Sequence, residues 1–169
     1  MEAIPEYKLK RCETLYLEIP SIRARLLSPS EMEQLKAALR QRSKEAGFLS
    51  PEHEAPSDLF DGILENAALT VGANMPARVC EAARKGFLLS EVLAKNGLET
   101  DSEEVFVDWG GYSVSEEHRY IAIALQDLCA YWKGLWQEGC DDTLIIEANL
   151  RWVLLCGHHG AMAYAKFDP

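Results

Sequence analysis

The sequence predicts a mainly α-helical domain, a helical bundle of about five or six helices with a small two- or three-stranded β element, with α+β as the alternative. Three observations lead there. Apolar residues recur at three- and four-residue spacing through much of the chain after residue 28. Helix-capping residues precede several of those runs. Strict alternation of apolar and polar residues is confined to short stretches. The 169 residues suffice for one hydrophobic core, so the chain reads as a single globular domain, 1–169, with a loose charged lead-in at 1–12.

Leu15, Leu17 and Ile19 alternate with Thr14, Tyr16 and Glu18, which predicts a half-buried strand. After Pro20-Ser21, Ile22, Ala24 and Leu26 alternate with Arg23 and Arg25 as a hairpin return, with a short helix as the competing reading. Ser28-Pro29-Ser30-Glu31 opens a helix. Ser28 is the N-cap, Pro29 takes N1 where its missing N–H costs nothing, and Glu31 at N3 completes a capping box. Met32, Leu35 and Leu39 form its apolar stripe, and Gly47 ends it. Lys36, Arg40, Arg42 and Lys44 make its exposed face the basic element of the chain.

Residues 49–56 read as a loop. A helix from Ser57 to Gly72 follows, then one from about Asn74 to Asn96-Gly97, which Gly86 kinks or splits. Leu98 after Gly97 fits the hydrophobic contact of a left-handed C-cap. Val105, Val107 and Trp109 alternate with Phe106 and Asp108 as a second strand signal, and Gly110-Gly111 allows a tight turn. Ile121, Leu125, Leu128, Trp132 and Leu135 repeat at helical spacing as a core seam, capped at Ser113 or Ser115. Asp141-Asp142 begins a last helix that keeps Ile145, Ala148, Trp152 and Leu155 on one face.

The formal net charge is −10 and is unevenly spread. Residues 1–50 carry nine Lys/Arg against seven Asp/Glu, and residues 51–169 carry eight against twenty. The densest focus is Glu99, Asp101, Glu103, Glu104, Asp108, Glu116 and Glu117, in a stretch, 96–118, without Lys or Arg. Such a field repels phosphate, which disfavours direct binding to nucleic acid or an anionic membrane, and it attracts basic proteins. No apolar run approaches the roughly 18 residues of a spanning helix. Glu2, Glu6, Lys8, Lys10, Arg11 and Glu13 leave no apolar signal-peptide core, so the expectation is a cytoplasmic protein. Five cysteines at irregular spacing, without a CxxC pair, read as reduced thiols.

Three site readings follow. In the first, Glu99, Asp101, Glu103, Glu104, Asp108, Glu116 and Glu117, flanked by Trp109 and Trp136, form a partner-binding surface, because carboxylates steer a cationic partner and Trp anchors interfaces. In the second, Cys156, His158 and His159 supply thiolate and imidazole for a metal or a Cys/His catalytic pair. Their spacing matches no common zinc pattern, and Val153 to Leu155 look like core. In the third, the chain is a structural or assembly subunit, a homo-oligomer burying Trp136 between copies.

The expectation that fits best is a small acidic inhibitor without a cofactor or catalytic residues. Its partner would be a basic protein, such as a nucleic-acid-binding one. By analogy of charge and size alone, that is the role of an immunity protein facing a cationic nuclease, or of a phage-encoded nucleic-acid mimic acting against bacterial defence.

Overall fold

A computed structural model describes residues 24–46, 77–80, 88–98, 101, 103–108, 120–135, 143–156 and 162–167. The elements in chain order are β1 (Ala24–Leu26), α1 (Pro29–Glu45), β2 (Ala77–Cys80), α2 (Leu89–Lys95), β3 (Glu104–Asp108), β4 (Ile121–Ala124), α3 (Leu125–Leu135), β5 (Thr143–Glu147), β6 (Trp152–Cys156) and β7 (Met162–Lys166). The strands form one seven-stranded sheet in the order β1-β4-β3-β5-β6-β7-β2. Every neighbouring pair in it is antiparallel. The fold is therefore α+β and rich in strand, which corrects the expectation of a mainly helical bundle.

Helices cover both faces of this sheet. On one face Val105, Val107, Ile121, Ile123, Ile145, Trp152, Leu154, Cys156 and Met162 pack with Leu89 and Leu93 of α2 and with Leu125, Leu128 and Trp132 of α3. On the other face Leu144, Ile146, Val153, Leu155, Ala163 and Ala165 pack with Met32, Leu35 and Leu39 of α1. By the described helices that pack on them, we refer to these as the two-helix face and the one-helix face. Successive residues of a strand point to opposite faces, so a strand covered on both sides has no solvent-facing position to fill with polar residues. β5 and β6 show this directly, since all ten of their residues are buried.

That covering explains where the periodicity misleads. Thr143–Glu147 and Trp152–Cys156 are the two arms of a hairpin, with Ile145 opposite Leu154 and Thr143 opposite Cys156. The expected last helix puts Ile145, Ala148, Trp152 and Leu155 on one face. In the sheet, Ile145 and Trp152 lie on the two-helix face, Leu155 lies on the one-helix face, and Ala148 is in the turn. The expected helix over residues 74–96 is replaced at Ala77–Cys80 by strand β2, and among the described residues of that span the helical ones are Leu89–Lys95. The seam from Ile121 to Leu135 divides at Leu125. Ile121 belongs to β4, which runs without a break into α3.

Other expectations agree with the structure. Ser28 accepts from the Glu31 N–H at 3.3 Å, and Glu31 accepts from the Ser28 N–H at 2.8 Å, which is the reciprocal capping box with Pro29 just inside the helix. These contacts, with Arg25 at 3.0 Å, hold the Glu31 carboxyl below its ordinary pKa. At the end of α2, Gly97 has φ +59°, a backbone conformation that costs an L side chain about 1 kcal/mol or more. Its N–H reaches the Ala94 carbonyl at 3.2 Å and the Leu98 N–H reaches the Leu93 carbonyl at 2.9 Å, while Leu98 itself is buried. This is the paired arrangement in which a left-handed residue satisfies the last carbonyls of a helix. The strand expected around residue 105 is β3, and Ala24–Leu26 of the expected return is strand β1, whose partner among the described residues is β4. The strand expected at 13–19 and the helix expected at 57–72 lie outside the described residues.

Candidate partner-binding surface

β3 carries the described part of the acidic focus from one end of the sheet to the other. Asp101, Glu103 and Glu104 stand at its start. Asp108 stands at its last residue, about 13 Å further along at the rise of an extended strand. The two ends differ in environment.

At the start of β3, Asp101 and Glu103 are exposed and Glu104 is half-buried. Glu104 lies opposite Ala124, the last residue of β4, and the Glu103 carbonyl accepts from the Leu125 N–H at 3.2 Å. The strand thus enters the sheet beside the first turn of α3. Asp127 in that turn adds a carboxylate where the helix dipole favours one.

Two cations among the described residues are engaged at this end. Arg151 Nη2 contacts Asp101 at 2.8 Å and Glu147 at 3.2 Å. One guanidinium shared by two carboxylates leaves their combined charge negative. Lys166 Nζ donates to the Gly97 carbonyl at 2.8 Å.

Beneath Asp101, the turn joining β5 to β6 closes around Glu147, whose side chain is fully buried. Its carboxylate accepts from the Asn149 N–H, the Asn149 side-chain amide and the Arg151 N–H, each at 3.0 Å. With Arg151 Nη2 it has four donors, which is how a buried charge becomes tolerable. Leu150, between those donors, has φ +57°, and its N–H reaches the Glu147 carbonyl at 2.8 Å. Glu147 therefore organises the turn that holds Arg151 under Asp101.

At the other end of β3, Asp108 is only 7% exposed. It accepts a hydrogen bond from the buried Tyr120 hydroxyl, the residue before β4. Burial, then the Asp108 charge and the bond to it, push the Tyr120 hydroxyl well above the usual phenol range, while Arg40 of α1 acts against them. Tyr120 thus stays protonated and donates. Asp108 belongs to the interior contact between the sheet and α1, apart from the solvent-facing carboxylates.

Of the expected partner-binding residues, the structure brings Asp101, Glu103 and Glu104 together and separates Asp108 from them. Glu99, Trp109, Glu116, Glu117 and Trp136 lie outside the described residues. So do His158 and His159. Cys156 is fully buried on the two-helix face, in register with Thr143 and Met162. Cys129 on α3 is half-buried, and desolvation raises its thiol pKa. Among the described residues, no three His, Cys, Asp or Glu side chains are grouped to hold a metal ion, and no helix is long and apolar enough to cross a membrane.

Sequence reasoning missed Asp127 and the anchoring role of Glu147. Asp127 becomes part of this end only once α3 is seen to begin at Leu125. Glu147 and Arg151 stand four residues apart, a separation that suits a helix as well as a short turn.

Comparison with protein-family models, curated proteins and solved structures finds no match for this chain.

Proposed function

We propose that this is a small acidic binding protein that engages a basic partner as an inhibitor, its carboxylates occupying places where a cationic groove would otherwise hold phosphates. The observation that carries this reading is the exposure of Asp101 and Glu103, with Glu104 beside them, at one end of the sheet within a stretch, 96–118, that has no Lys or Arg. The rest of the acidic stretch 51–169 adds a field that speeds association with cations and repels nucleic acid and anionic lipid. Among the described residues, Arg151 bridges Asp101 and Glu147, and Lys166 donates to the Gly97 carbonyl. The carboxylates of Asp101, Glu103, Glu104 and Glu147 outnumber these two cations, so this end of the sheet stays net negative.

The thiol reading gains no support from Cys156, whose sulfur lies in the packed interior. A thiol sealed from solvent in this way reacts slowly.

The test begins with capture of host proteins on the immobilised chain at low ionic strength. The retained proteins are identified and the binding of each purified pair is titrated against salt. The proposal predicts a basic partner whose affinity falls steeply between low and physiological salt. A neutral or acidic partner, or affinity indifferent to salt, would overturn it.

A further inference from the structure

We draw no further inference here: the strongest candidate, the cross-strand row of Thr143, Cys156 and Met162 on the two-helix face of the sheet, is sealed inside the packed core, and beyond a lone cysteine and a buried hydroxyl nothing among the described residues points to a ligand there.

Discussion

Replacing Glu147 with alanine tests the account of the β5–β6 turn at its most constrained point. The side chain is fully buried and accepts from two backbone N–H groups, one side-chain amide and one guanidinium. Truncation leaves the Asn149 and Arg151 N–H groups without their acceptor and Arg151 without its inner counter-charge. An orphaned buried donor costs about 1–3 kcal/mol, and breaking a buried charge pair costs about 3–5 kcal/mol in total. These overlap, so we expect E147A to lose about 3–5 kcal/mol.

Domains of this size are stable by about 5–15 kcal/mol, which makes the loss a large fraction of the whole. Urea slopes for small proteins lie at about 1–3 kcal/mol/M, so the unfolding midpoint should fall by about 2 M. E147Q keeps one acceptor oxygen and should fall between E147A and the parent protein. D101N removes only the exposed partner of Arg151 and should cost less than about 1 kcal/mol. Equilibrium unfolding followed by tryptophan fluorescence reads all three. If E147A unfolds within about 0.5 kcal/mol of the parent protein, the argument that this carboxylate organises the turn is wrong.

Two further outcomes follow from local chemistry. S28A removes the side-chain cap of α1 and should cost about 1 kcal/mol in urea unfolding. Because Glu31 has a lowered pKa in the fold, its contribution is present above the ordinary carboxylate pKa and is lost as pH falls through the lowered value; S28A removes the Ser28 side-chain bond but keeps the larger backbone N–H contribution, so it should flatten stability across that acidic window only in part. Site-resolved alkylation should find Cys156 protected in the native protein and reactive only on unfolding, with Cys129 modified sooner. Rapid native alkylation of Cys156 would revive the thiol-enzyme reading.

The local signals survived into the structure where the cause was local. The Ser28-Pro29-Ser30-Glu31 cap and the Gly97-Leu98 end of α2 depend on backbone groups within a few residues, and the sequence states them directly. β3 was legible because Phe106 and Asp108 alternate with Val105 and Val107 in size and polarity.

Thr143–Glu147 and Trp152–Cys156 were not legible as strands, because helices on both faces remove the alternation that marks a half-buried strand. A short apolar run of that kind fits a buried helix equally well. Ile121 misled for a different reason. It stands four residues before Leu125, so the end of a strand continues the spacing of the helix after it. At the candidate surface the sequence located the charge and not its exposure. Asp101 and Asp108 look alike in the chain, and only the pairing of β3 with its neighbours sends one to solvent and the other to Tyr120.

That distinction supplies the decisive measurement. The salt-dependent affinity for the captured basic partner is compared among the parent protein, the triple variant D101N/E103Q/E104Q, and Y120F, with urea unfolding of each alongside. The account predicts that the triple variant loses no more than about 1 kcal/mol of stability, binds about tenfold or more weakly at low salt, and shows a shallower dependence on salt. Y120F, which leaves buried Asp108 short of a donor, should lose about 1–3 kcal/mol of stability and bind normally at temperatures where it remains folded. Unchanged affinity in the triple variant would contradict the claim that these surface carboxylates meet the partner.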